Sequence, residues 1–190
     1  MSDLVEVRWH GRGGQGAKTA SQLLADAALD EGMYIQAFSE YGPERMGAPI
    51  QSFTRISSEP IKIHCHVANP EIVVVLDPTL LGTVDVAAGM DGEGKIIVNT
   101  DKSPAEVREE IGLKGGKVYT VDATRIATDC LGRPIPNTPM IGALLKATAL
   151  IKVDDLKHGL KKKFSKKFKD EIVRGNIRAV ERAYEEVKGE

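Results

Sequence analysis

"RWHGRGGQGAKTASQLLADAAL", Arg8 to Leu29, decides the fold. Leu4 to His10 alternate apolar and polar residues and read as a first strand. Glycines then fall as Gly11-x-Gly13-x-x-Gly16, the spacing of a dinucleotide-binding turn. Ala17, Ala20, Leu23, Leu24, Ala27 and Ala28 recur at helical spacing, Gly32 suits a helix C-cap, and "MYIQAFS" is a second strand. Strand, glycine turn, helix and strand in that order open a parallel α/β sheet.

Such a turn directs backbone amides and the positive end of a helix dipole at an anion, and Arg12 adds a cation. A dinucleotide also needs an acid at the end of the second strand for the ribose hydroxyls. Glu40 lies near that place, yet it runs straight into "YGPE" and not into a second crossover helix. The glycine loop therefore reads as an anion or nucleotide contact, with close helix–strand packing as the alternative. The turn-rich "YGPERMGAP", Tyr41 to Pro49, follows a strand end, where ligands and partners of open α/β sheets gather; an ordinary wide hairpin is the competing reading.

Downstream, "IQSFTRI" and "PIKIHCH" flank "SSEP" and suggest an inserted antiparallel hairpin. "PEIVVVLDP" is the most apolar strand and should be central, with Asp77 at its carboxyl end. "GKIIVNT" and "GKVYTVDA" are further strands around the helix "SPAEVREEIG", where Ser103 and Glu106 form a capping box and Pro104 starts the first turn. From Ala123 the chain turns helical. The last helix runs to Lys188, with an apolar stripe of Phe168, Ile172, Val173, Ile177, Val180, Tyr184 and Val187. The expected fold class is α/β: a Rossmann-like, mostly parallel sheet with an inserted antiparallel hairpin and C-terminal helices. It forms one domain over residues 1–190, with a sheet core at 1–135 and a helical part at 136–190.

Composition excludes several functions. With 42% hydrophobic and 28% charged residues the chain is globular. It has no apolar run of membrane-spanning length, and "MSDLVEV" lacks a signal-peptide pattern, so a cytoplasmic location is expected. Two cysteines, Cys65 and Cys130, are too few for an iron–sulfur cluster. "HCH", His64 to His66, offers two same-side imidazoles on a strand, short of a four-ligand zinc site, so no metal is expected. Neither a Gly-x-Ser-x-Gly elbow nor a Walker loop occurs. Asp77 and Asp122 at strand ends suit turn capping better than catalysis, and no catalytic residue is assigned. Residues 1–150 carry a net charge of −5 and residues 151–190 one of +4. "KKKFSKKFK", Lys161 to Lys169, reads as a solvated face over two inward phenylalanines; a nucleic-acid role is disfavoured by the acidic body and 5% aromatic content.

"HGRGGQGAKTASQLLADAAL", "EYGPERMGAP", "NTPMIGALLKAT" and the closing "FKDEIVRGNIRAVERAYE" with Asn176 together resemble the gamma subunit of pyruvate (2-oxoacid):ferredoxin oxidoreductases, over essentially the full chain. The resemblance implies a non-catalytic subunit, inactive alone, with alpha, beta and delta sister subunits and ferredoxin as electron acceptor. It implies that the sister subunits carry thiamine diphosphate, Mg2+ and [4Fe-4S] clusters, none of them in this chain. The assembled enzyme would convert a 2-oxoacid, coenzyme A and oxidised ferredoxin into acyl-CoA, carbon dioxide and reduced ferredoxin. Gly11, Arg12, Gly13, Gly14, Gln15 and Gly16 are then candidates to contact coenzyme A phosphates. Tyr41, Gly42, Pro43, Glu44 and Arg45 would face a sister subunit or the active-site mouth. A free-standing Rossmann-type NAD(P)-binding oxidoreductase is the alternative.

Overall fold

The computed structural model describes residues 4–41 and 47–190. A single seven-stranded sheet forms the centre, with strands in the order β2-β3-β1-β4-β5-β6-β7. Its strands are β1 (Leu4–Arg12), β2 (Tyr34–Tyr41), β3 (Pro49–Ser57), β4 (Ile72–Val75), β5 (Lys95–Asn99), β6 (Lys117–Val121) and β7 (Lys188–Gly189). Only β3 and β7 run against the other five, so the sheet is a mostly parallel α/β sheet with an inserted antiparallel hairpin. The helices are α1 (Ala17–Asp30), α2 (Pro104–Ile111), α3 (Ala123–Leu131), α4 (Asn137–Thr148), α5 (Val153–Phe164) and α6 (Asp170–Glu186).

Each strand divides its side chains between the two faces. Val7 and Trp9 of β1, Ile56 of β3 and Val74 of β4 join α1, α4, α5 and α6 in the larger core. Val73, Val75, Ile96, Val98 and Val118 point the other way, against Val107 of α2 and the segment holding Leu80 and Val86. The parallel strands β4 and β5 are thus aliphatic on both faces, as covered parallel strands must be. In the antiparallel part, by contrast, the second face carries Glu6, Arg8, His10 and Arg55. Arg55 is buried and donates Nε to Glu6 Oε1 at 2.6 Å.

The hairpin is not the one expected. β2 and β3 pair with each other from Tyr34–Ser57 to Tyr41–Ile50, and β3 inserts between β2 and β1. "PIKIHCH" (60–66) forms no strand. With β1 and β2 on its two sides, β3 has no free edge left for that run, so His64, Cys65 and His66 are exposed on an irregular segment. The C-terminal stripe is also shorter than its sequence suggests. α6 begins at Asp170 and ends at Glu186, leaving Phe168 45% and Ile172 42% exposed. Lys188 and Gly189 leave the helix to pair with β6, whose outer edge was open.

Candidate functional site: a glycine loop between two helix starts

β1 delivers the chain to Arg12 at the carboxyl end of the sheet, and Gly13 to Gly16 turn it back into α1. The turn needs glycine twice, for Gly14 and Gly16 hold φ of +95° and +84°, a region costly for other residues. Gly16 is also pressed against α4: a Cβ there would stand 2.7 Å from the Asn137 side-chain nitrogen. Two of the quoted motifs, far apart in sequence, therefore meet at this point.

Side chains lock the loop from below. Gln15 Oε1 accepts from the Arg12 amide at 2.7 Å, and Gln15 Nε2 donates to Asp77 Oδ2 at 2.7 Å. Asp77 Oδ1 accepts from the Thr79 amide at 2.9 Å and its hydroxyl at 2.7 Å. Arg12 stands 3.3 Å from Asp77 Oδ2 and donates to the Gly47 carbonyl at 2.9 Å. Burial of Asp77 opposes its ionisation, but the bonds from Thr79 and Gln15 and the Arg12 charge outweigh it and hold the carboxyl below its ordinary range. Arg12 is thus a staple joining the loop, the end of β4 and the return of the hairpin into β3. The described ends of β2 and β3 reach the glycine loop, because Arg12 is opposite Pro49 and Tyr41 opposite Ile50. Tyr41 ends β2; Gly42, Pro43, Glu44 and Arg45 lie outside the described residues.

What the loop leaves open is its amides. Among the described residues, the N–H groups of Gly13, Gly14 and Gly16 have no hydrogen-bond partner. α1 has no side-chain cap and no acid in its first turn, where Lys18 and Thr19 are exposed. α4 also has no acid in its first turn and starts behind Pro136, but there Asn137 Oδ1 accepts from the Thr138 amide at 2.8 Å. The other helices differ: α2 and α3 carry side-chain caps, and α5 and α6 carry two acids each in the first turn. The starts of α1 and α4 thus meet with no acid in either first turn, which favours an external anion. Beside them a cavity of about 880 Å³ is lined by Lys18 and Asn137 at the loop and also by Leu23, Phe164, Phe168 and Ile172. Lys18 and Asn137 carry this site as much as the glycines do, and only their motifs, not their spacing, marked them in the sequence.

Among the described residues, the buried titratable groups near the loop are engaged in holding the fold. His10 is buried beneath it; burial and the neighbouring Arg8 charge lower its pKa to about 4, so it stays neutral. Its Nε2 accepts from Arg8 Nε at 3.1 Å, and Arg8 donates to the carbonyls of Val86 at 3.1 Å and Ala88 at 2.5 Å. Asp122 Oδ1 caps α3 by accepting from the Arg125 amide at 3.0 Å. Among the described residues no cluster of three metal-ligating side chains occurs. Glu40, the acid a dinucleotide would need, is on β2, a full strand removed from the loop because β3 intervenes. At about 4.8 Å per strand spacing it is some two spacings from β1, which removes the ribose contact.

Comparison with known proteins shows the family. The model of the pyruvate ferredoxin/flavodoxin oxidoreductase family matches residues 6–186. The chain is 50% identical over 185 residues to the pyruvate/ketoisovalerate oxidoreductases common subunit gamma of Pyrococcus furiosus, covering 97% of this chain and 98% of that one. It is 49% identical over 183 residues to pyruvate synthase subunit PorC of Thermotoga maritima, covering 96% and 94%. The crystal structure of pyruvate oxidoreductase subunit PORC from Thermotoga maritima superposes with a TM-score of 0.89 at 46% identity, over 99% of each chain. The same fold recurs at 20% identity and a TM-score of 0.73 within 2-oxoglutarate:ferredoxin oxidoreductase from Magnetococcus marinus, a structure with 2-oxoglutarate, coenzyme A and succinyl-CoA bound; 96% of this chain matches 31% of that one. With a family match over nearly its whole length and half of its residues shared with a gamma subunit, this chain belongs to the pyruvate ferredoxin/flavodoxin oxidoreductase family.

Proposed function

We propose that the chain, as the gamma subunit of a 2-oxoacid:ferredoxin oxidoreductase, holds the phosphates of coenzyme A at its glycine loop. The observation that carries this is the meeting of two helix starts without an acid at Gly16 and Asn137, with the free amides of Gly13, Gly14 and Gly16 and the ammonium of Lys18 beside them. A phosphate there replaces water on donors that have no partner in the chain. The adjoining cavity has the volume and apolar floor that the rest of such a ligand needs. Arg12 acts by holding the loop, since its charge is engaged by Asp77.

The reaction joins a 2-oxoacid, coenzyme A and oxidised ferredoxin to give acyl-CoA, carbon dioxide and reduced ferredoxin. Thiamine diphosphate, Mg2+ and [4Fe-4S] clusters would serve that reaction; in this chain Cys65 is exposed, Cys130 lies on α3, and no cluster of metal-ligating side chains surrounds either among the described residues. Those groups belong on this reading to alpha, beta and delta partners, with ferredoxin collecting the electrons. Residues 1–190 act as one unit in that assembly, the loop connecting β2 to β3 faces a sister subunit, and a cytoplasmic location follows. No helix among the described residues is long and apolar enough to cross a membrane.

The test is an anaerobic affinity purification of the tagged chain from its own host, assayed for viologen reduction that requires both a 2-oxoacid and coenzyme A. Co-purifying subunits with that activity are expected, and the preferred 2-oxoacid names the enzyme. A solitary, inactive chain refutes the subunit assignment. In the active complex, Lys18→Glu should raise the KM for coenzyme A about tenfold, with the KM for the 2-oxoacid unchanged. An unchanged KM for coenzyme A refutes the phosphate site and leaves the subunit assignment standing.

A further inference from the structure

The two edges of the sheet are built differently. At one end β7 is two residues long and its Lys188 is charged, which is how sheets protect an edge. At the other, β2 is eight residues long, reads YIQAFSEY, contains one charge and no proline, and pairs only with β3. An edge of that length and neutrality is a template for another strand. The surroundings fit the same use. Of the five large apolar side chains most exposed among the described residues, Leu29, Tyr34 and Ile63 flank this edge, at 55%, 48% and 40% exposure. Leu29 ends α1 just before β2, and the Ile63 carbonyl accepts from Gln36 Nε2 at 2.9 Å. An open hollow of about 540 Å³ lies beside residues 35–38.

We propose that β2 is a self-pairing edge, joining two copies of this chain by antiparallel β2–β2 contact into one continuous sheet. The strand's own sequence selects that partner. A two-fold axis through Ala37 puts its smallest residue at the axis, Gln36 opposite Phe38 and Ile35 opposite Ser39. It also puts the exposed Tyr34 opposite the exposed Glu40, so each phenol donates to the carboxylate of the other copy and no like charges face each other. The inference is independent of the coenzyme A site, which lies at the carboxyl end of β1 and off this edge.

The experiment is sedimentation equilibrium of the whole chain beside the double variant Leu29→Lys/Tyr34→Lys, both side chains being exposed enough for the fold to survive. The unaltered chain should be dimeric at about 50 µM and the variant monomeric, with the same far-ultraviolet circular dichroism. In a Cys65→Ser background, Ala37→Cys should give a disulfide between the two introduced thiols under mild oxidation. A chain that stays monomeric at about 100 µM, or a dimer that survives the two lysines, overturns the proposal. So does a purified complex in which the thiol introduced at position 37 cross-links to a different subunit, because the edge then serves a foreign strand.

Discussion

α1 and α2 both follow a parallel strand through a short turn, and their first turns are opposites. At α2 every local device is present: the Ser103 side chain accepts from the Glu106 amide, the Glu106 carboxylate accepts from the Ser103 amide, and Pro104 needs no donor. At α1 there is a left-handed glycine with no side chain to cap, and a first turn that carries Lys18 and Thr19 and no acid. A capping side chain contributes roughly a few tenths of a kcal/mol over glycine, so α1 forgoes a little stability that the same chain takes up elsewhere. A helix start that is closed by its own side chains has finished its chemistry; one that is left bare, as at α1, has donors to give. On the proposed function, the contrast separates a structural turn from a binding turn.

The largest effect that sharpens this contrast is expected at Gly16. Gly16→Ala places a Cβ in left-handed backbone and against Asn137, and should cost about 3 to 4 kcal/mol in urea unfolding. A loss under 1 kcal/mol would mean that α1 and α4 are free to separate and that their starts do not form one site. Next comes pH. His10, beneath the loop, is held neutral in the fold with a pKa lowered to about 4, whereas the unfolded chain takes up the proton near the ordinary 6.5. The unfolded state binds more protons between those values, so stability falls as pH falls from 6.5 to 4, by about 3 kcal/mol. His10→Gln should remove that slope. At α2, hydrogen bonds from Ser103 hold the Glu106 carboxyl below its usual range, so its contribution is lost only in stronger acid. Between pH 6.5 and 4, amide exchange should therefore quicken around β1 and leave α2 protected.

How much of this was legible in the sequence depended on where each signal lived. The strand–glycine–helix opening and the capping box are local chemistry, written within a few residues, and both stand in the structure as read. The run 60–66 alternates like a strand, but alternation cannot show that β3 already has two neighbours. Lys188 and Gly189 carried no strand signal at all; they pair because β6 offers an edge across the molecule. Phe168 and Ile172 fit a helical stripe by spacing, yet Phe168 precedes α6 and packs edge-to-face on Phe164 at 5.3 Å, lining the cavity instead of the core. The site divides in the same way. Its glycines announced themselves, whereas Asn137 and the Asp77–Gln15–Arg12 lock depend on tertiary approach.

The smaller effects decide whether the bare start is a binding feature or only an imperfect helix. Ser103→Ala should cost about 1 kcal/mol and leave the KM for coenzyme A unchanged, because α2 is closed upon itself. Lys18→Glu should act in the opposite sense on two readouts. An acid in the first turn of α1 meets the positive helix end, so the isolated chain should gain about 0.5 kcal/mol in unfolding. In the assembled enzyme the same carboxylate stands where the phosphate belongs, and the KM for coenzyme A rises. A residue selected for folding would not be a lysine at that place, since the alternative is more stable. If Lys18→Glu stabilised the chain and left the KM alone, the bare terminus would be a tolerated flaw in α1. A gain in stability paired with a loss of affinity makes it a site kept open at the expense of the fold.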